Sequence, residues 1–259
     1  MSTLPLFDLS PFLNPSDPSF PSPSDQITLM EQHSALIERL IYALETWGVL
    51  LIQGHGIPLE LQNLLHQESL SFFNQSLDQK KEIDLIHRGR AWRGYFEMGL
   101  EYTAGQVDLK EGLYFGIEHP PTHPLVQNQT PMHGSNQWPR SPSQFKTSVC
   151  EYMNHAQRVA HTLLQIIGYG IGLPITYFKD RFTQSSLYHT HPHLNPDPTC
   201  LFRIFHYPTH PSSPLNKDSW GVGEHTDMGF LTLVLQDQVG GLQIKKDQTW
   251  MDIPPLAWV

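Results

Sequence analysis

Apolar residues three and four apart over one long stretch, cut off by glycine and followed at once by a run too short for a helix, limit this chain to helices packed against small sheets. From Ser24, read as an N-cap, the stretch carries Ile27, Met30, Ile37, Leu40, Ile41, Leu44 and Trp47, and Gly48 stops it. The spacing predicts one amphipathic helix. Val49-Leu-Leu-Ile-Gln53 is aliphatic, short and bounded by Gly54-His-Gly56, which predicts a buried strand. Pro58 then opens a second helix through Leu61, Leu64, Leu65 and Phe72.

Further on, Trp92 to Phe96 and Gly112 to Gly116 are strand candidates, followed by a proline-bearing loop from about Glu118 to Pro142. A third amphipathic helix is predicted from about Ser143, with Phe145, Val149, Tyr152, Met153, Ala156, Ala160, Leu163, Leu164 and Ile167 on its stripe. It runs into Gly168, Gly170 and Gly172. After it the pattern turns to β structure. Cys200 to Tyr207, Phe230 to Gln236, Leu242 to Lys245 and Trp250 to Ile253 are short strand candidates separated by turn residues, as in half of a sandwich or barrel.

Composition narrows the function classes. A formal charge of -9 over 259 residues provides no basic field for phosphates, which argues against nucleic acid and anionic membrane surfaces and favours a small-molecule partner. The two cysteines, Cys150 and Cys200, fall in no Cys-x-x-Cys spacing, which speaks against a disulfide framework or structural zinc and for a reducing compartment. No stretch approaches the ~18 apolar residues of a membrane span, and the N-terminus shows no secretory leader pattern. The expectation is a cytoplasmic protein.

The chemistry is concentrated in Gly223-Glu-His-Thr-Asp-Met-Gly229. His225 and Asp227 are two apart, so on an extended segment both side chains point to one face and can reach one ion. An imidazole nitrogen and a carboxylate oxygen are two of the three donors of the facial triad that binds non-haem Fe(II). Taken alone, a His-x-Asp pair is far more often a surface turn than a ligand pair.

Its surroundings change that balance. Trp220-Gly-Val-Gly-Glu-His-Thr-Asp-Met-Gly-Phe-Leu-Thr-Leu-Val-Leu-Gln-Asp237, Val239-Gly-Gly-Leu-Gln-Ile244 and Trp250-Met-Asp-Ile-Pro-Pro255 together resemble the isopenicillin N synthase-like branch of the Fe(II)/2-oxoglutarate-dependent dioxygenases. The resemblance continues upstream through Leu201-Phe-Arg-Ile-Phe-His-Tyr-Pro208, Arg93-Gly-Tyr-Phe96, Lys110-Glu-Gly-Leu-Tyr-Phe-Gly116 and Trp47-Gly-Val-Leu-Leu-Ile-Gln-Gly-His-Gly-Ile-Pro58. It implies an α+β fold: a double-stranded β-helix, or jelly roll, flanked by N-terminal and central helices. It divides the chain into a non-haem dioxygenase N-terminal region at 1–118, a loop, long helix and histidine-rich insertion at 119–199, and a partial jelly-roll core at 200–259. It also implies an oxidoreductase that takes Fe(II) and 2-oxoglutarate and hydroxylates, desaturates or cyclises a small organic molecule. His225 and Asp227 match the family's first two iron ligands, and Tyr207 matches the tyrosine that meets the co-substrate carboxylate in many members. Phe205 stands where plant enzymes carry an asparagine.

The chain departs from the family pattern in two places. The family's third ligand is a histidine well beyond the aspartate, with a carboxylate-binding arginine shortly after it. No histidine follows His225 and no arginine follows Arg203. The resemblance therefore implies a jelly roll without its last strands, as in a fragment, a splice product or a truncated gene model. Weak iron binding and exposed strand edges near Leu231, Leu233 and Leu235 are expected to follow. A catalytically inactive remnant that acts, if at all, through protein contacts is the alternative reading. The second departure is Tyr188-His-Thr-His-Pro-His193, an apparent insertion whose His189, His191 and His193 alternate. A solvated loop is the plain reading and a surrogate metal-binding loop the sharp one.

The remaining candidates have structural explanations beside functional ones. Arg93, Tyr95, Lys110 and Glu111 fall in segments that approach the active site in relatives, and strand packing or ion pairing accounts for them equally well. His55 and His206 are read as structural, Trp220 and Trp250 as core aromatics.

Overall fold

The computed structural model describes residues 4–13, 23–183, 199–208 and 220–256. The first helical stretch forms as two helices, α1 (Pro23–Gln32) and α2 (Ser34–Trp47), with β1 (Leu6–Asp8) preceding them. The break falls at His33, whose φ of -112° and ψ of 21° leave the helical region. Its N–H is shared between the Leu29 and Met30 carbonyls, each at 3.2 Å. Its ring packs edge-on against Phe12, 5.3 Å between centroids. Periodicity cannot register such a break, because the apolar spacing continues across it. Ser24 lies inside the first turn rather than capping it, its carbonyl accepting from Thr28 Oγ1 at 3.1 Å. Gly48 ends α2 as expected: its φ of 70° is left-handed, and its N–H closes on the Leu44 carbonyl at 2.8 Å.

The strand after it, β2 (Leu51–Gln53), pairs in parallel with β1, Phe7 opposite Ile52. It is half-buried on all three residues rather than fully buried. Next come α3 (Leu59–Phe73) and α4 (Leu77–Lys81), the latter opened by a Ser76/Gln79 capping box. The strands β3 (Gly94–Phe96), β4 (Tyr102–Thr103), β5 (Gln106–Val107) and β6 (Glu111–Gly116) follow, then the short α5 (Pro124–Gln127) and the long α6 (Phe145–Gly170). The described chain closes with β7 (Leu201–His206), β8 (Gln243–Lys246) and β9 (Thr249–Asp252).

By packing, the described residues within 1–62, 152–197 and 231–259 form one compact unit, and those within 63–151 and 198–230 another. In the first, Phe7, Leu9, Met30, Ile37, Leu40, Val159, Leu163, Ile166 and Ile175 make the buried cluster. The β8–β9 hairpin belongs to the same unit and is tied to α2, where Lys246 Nζ donates to the Thr46 carbonyl at 2.8 Å and lies 3.9 Å from the Trp47 ring. Residues 230–236 do not form the expected strand, and Leu233, Val234 and Leu235 are exposed. A side chain pattern can mark a strand, but only a partner's ladder completes one, and no described residues supply it. Trp250 is half-buried rather than core.

The second unit is built on an antiparallel sheet in the order β3–β6–β7, with Tyr95 opposite Leu113 and Gly112 opposite Phe205. Beneath it an aromatic core stacks Phe72 on Phe145 at 5.8 Å and Phe115 on Trp138 at 5.0 Å. Full burial of Phe72, Phe115 and Phe145 contributes ~1.5–3 kcal/mol each. The described sheets are small and not closed into a barrel. No described helix is long and apolar enough to cross a membrane.

Candidate functional site

All three sequence-predicted site residues fall in the second unit. β7 ends at His206, so Tyr207 is the first residue past the sheet, and residues 220–230 carry His225 and Asp227 on irregular backbone. Both ligand candidates are open to solvent, their side chains 46% and 55% exposed.

His225 Nδ1 lies 2.8 Å from the Gly223 carbonyl oxygen. A carbonyl can only accept, so Nδ1 carries a proton, and Nε2 is the ring nitrogen left to face a ligand. That nitrogen stands 3.4 Å from Asp227 Oδ1. The two atoms are close enough to share one cation between them. First-row metal donors bond at about 2 Å, so both atoms are within reach of one ion. The arrangement fits two positions of a divalent metal site. Among the described residues, no group of three or more His, Cys, Asp or Glu side chains could hold a metal ion. The histidine-rich segment with His189, His191 and His193 lies outside the described residues.

Tyr207 packs its ring against Gly221 and remains about half exposed overall. Desolvation of its phenol, then the charges of Asp108 and Glu101, push it up to about 12. It is therefore a hydrogen-bond donor across the physiological range. Beside it, Phe205 takes Lys110 Nζ over its ring face at 4.8 Å.

Arg93, just before β3, and Glu111, which opens β6, have packing roles. Arg93 is 1% exposed and donates to the Ala91 carbonyl at 2.9 Å and the Met132 carbonyl at 2.8 Å. Glu111 is the hub of a buried cluster, accepting from Lys80 Nζ at 2.7 Å and Tyr95 Oη at 2.5 Å, with His206 Nδ1 at 2.8 Å. Burial works to raise its carboxyl, but the bonds from Lys80, Tyr95 and His206 outweigh it and hold the group below its ordinary 4.5. His206 is thus structural, as is half-buried His55, whose Nδ1 accepts from the Ile57 N–H at 3.1 Å. Trp220 is 38% exposed and so is not the core aromatic expected of it.

Asp108 carries no motif that would mark it. It is 2% exposed and binds Lys110 Nζ at 2.8 Å, Thr103 Oγ1 at 2.9 Å and the Gly223 N–H at 3.4 Å. Sequence patterns do not reach an aspartate whose partner is 115 residues away. The available signal was the charge run Asp108-x-Lys110-Glu111 entering an otherwise apolar strand, since buried charges demand partners.

Residues 4–141 match the model of the non-haem dioxygenase in morphine synthesis N-terminal region. Residues 198–259 match that of the 2OG-Fe(II) oxygenase superfamily. A clavatol oxidase of Penicillium crustosum is 32% identical over 97% of this chain and 72% of its own length. The chain belongs to the 2OG-Fe(II) oxygenase superfamily. Within that superfamily, a Dictyostelium discoideum protein named "Probable iron/ascorbate oxidoreductase" is 37% identical over 83% of this chain. The chain spans 61% of that relative's length. A full-length Neurospora crassa protein, solved in complex with alpha-KG, superposes with a TM-score of 0.72 at 24% identity, over 98% of this chain and 70% of its own. That likeness supports the jelly-roll fold class. The family uses Fe(II) and 2-oxoglutarate.

Proposed function

We propose that this protein is an Fe(II)- and 2-oxoglutarate-dependent dioxygenase that oxidises a small organic molecule. His225 and Asp227 serve as metal ligands, and Tyr207 donates a hydrogen bond to the co-substrate carboxylate. The observation that carries this reading is the pairing of His225 Nε2 with Asp227 Oδ1 at 3.4 Å, with Nδ1 committed to the Gly223 carbonyl. Bound Fe(II) would supply the redox chemistry that couples decarboxylation of 2-oxoglutarate to use of dioxygen on the substrate. The chain's own contribution is to present an imidazole nitrogen and a carboxylate within 3.4 Å of each other in residues 225–227, and to keep the Tyr207 phenol, packed on Gly221, protonated.

A small organic substrate is supported by the relative named clavatol oxidase and by the Neurospora crassa protein, which has also been solved with thymine. Names of this kind favour catalysis over the inactive-remnant reading. The proposal extends to a cytoplasmic setting, supported by two cysteines, Cys150 and Cys200, that fall in no disulfide-framework spacing. It also keeps the division at 118 and 199 between an N-terminal region, a linking helical segment and the metal-bearing core. The test is succinate release from 2-oxoglutarate with Fe(II) and oxygen. Wild type should produce it and Asp227→Ala should not; equal, background-level release from both would contradict the proposal.

A further inference from the structure

Asp108, between β5 and β6, uses its two carboxylate oxygens for different tasks. Oδ2 accepts from Lys110 Nζ at 2.8 Å and from Thr103 Oγ1 at 2.9 Å. Oδ1 accepts from the backbone N–H of Gly223 at 3.4 Å. One residue on, the Leu109 N–H donates to the Trp220 carbonyl at 3.3 Å. Residues 108 and 109 therefore hold residues 220–223 at two points. Thr103 closes on the same glycine: a Cβ at Gly223 would sit 3.0 Å from the Thr103 carbonyl oxygen. The carbonyl of Gly223 is in turn the acceptor for His225 Nδ1 at 2.8 Å.

We propose that Asp108 is a positioning residue for the metal-binding imidazole, fixing the Gly223 backbone so that its carbonyl selects the Nδ1–H form of His225 and aims Nε2 outward. The inference rests on the reading of His225 as a ligand. Neutralising Lys110 does not require Asp108, because Glu101 already pairs with that ammonium at 3.0 Å. Burying a second carboxylate beside one cation is costly unless its other oxygen has a task, and the Gly223 N–H is that task. The arrangement is an outer-shell contact of the kind that fixes tautomer and ring orientation in metal sites.

The test compares wild type, Asp108→Asn, His225→Ala and Asn136→Ala. An amide has one oxygen where the carboxylate has two. The charge-assisted bond from Lys110 keeps that oxygen, and the amide NH2 is left facing the Gly223 N–H, donor against donor. Asn136→Ala is the control for general loosening, since Asn136 bridges the Gly116 backbone at 2.9 and 2.8 Å and touches nothing in residues 220–225 through those bonds. The readouts are the histidine 15N spectrum, which reports tautomers without metal, and Co(II) affinity.

In wild type, His225 should show one Nδ1–H tautomer. Asp108→Asn should show a mixture, with Co(II) binding about 10- to 100-fold weaker, while Asn136→Ala changes neither. Wild-type behaviour of Asp108→Asn in both readouts overturns the inference, as does an equal tautomer shift in Asn136→Ala. If His225→Ala leaves Co(II) binding intact, the ligand reading fails, and the tautomer comparison still decides whether Asp108 orients the ring. Should Asp108→Asn not fold, Gly223→Ala strains the same seat: a tautomer mixture sustains the inference and a single form overturns it.

Discussion

His225 Nε2 faces Asp227 Oδ1 across 3.4 Å while its Nδ1 is held by the Gly223 carbonyl, so the pair brings two potential metal-donor atoms together on an exposed surface. Such a pair contributes little to folding. Asp227→Ala should leave metal-free stability within about 0.5 kcal/mol of wild type by urea denaturation, yet remove metal binding. A loss of several kcal/mol would show that Asp227 is structural.

Glu111 has the opposite character. Replacing it with alanine leaves the Lys80 ammonium buried without the carboxylate now 2.7 Å away, at a cost of about 3–5 kcal/mol. Urea unfolding of Glu111→Ala measures this directly. Lys80→Met in the same background should restore part of the loss, because it removes the orphaned charge.

Glu111 and Asp108 also set an acid limit. Burial raises both carboxyls, yet in Glu111 the bonds from Lys80, Tyr95 and His206, and in Asp108 those from Lys110 and Thr103, win. Folded values therefore lie below the ordinary 4.5 and 3.8, and the unfolded chain binds these protons more readily. Their contribution is complete above the ordinary values and fades as pH falls through the lower folded ones. Denaturation midpoints at stepped pH should fall below about pH 4.5, and Glu111→Gln should flatten that fall.

Gly94 has a φ of 124°, and a Cβ there would land on the Ile83 carbonyl oxygen and the Gln137 amide. The Tyr95 N–H bonds to that same carbonyl at 2.8 Å, so the backbone cannot retreat without losing it. Gly94→Ala should cost more than the ~1–3 kcal/mol of backbone strain alone, read as a lowered thermal midpoint. In the other unit, Lys246→Ala should cost about 1–2 kcal/mol, combining the loss of its contact with the Trp47 ring and of its bond to the Thr46 carbonyl.

The sequence carried those elements whose cause is local. The stripe through Ile37 and Leu40 and the stop at Gly48 in α2, and the apolar run of β6, follow from spacing and backbone preference. The break at His33, whose ring packs on Phe12 about 20 residues away, was invisible to periodicity because the apolar spacing continues across it. The segment from Phe230 to Gln236 reads as a strand, but strand formation needs a partner that spacing does not name. The His-x-Asp pair was legible through its neighbours; the tautomer of His225 and its support by Asp108 were not, because both depend on where Gly223 sits.

The most direct test of the central claim is anaerobic addition of Fe(II) and 2-oxoglutarate, followed by visible absorption. Wild type should develop the weak charge-transfer band of an iron-chelated keto acid, and His225→Ala should develop none. A spectrum without that band in wild type, or with an undiminished band in His225→Ala, would contradict the account.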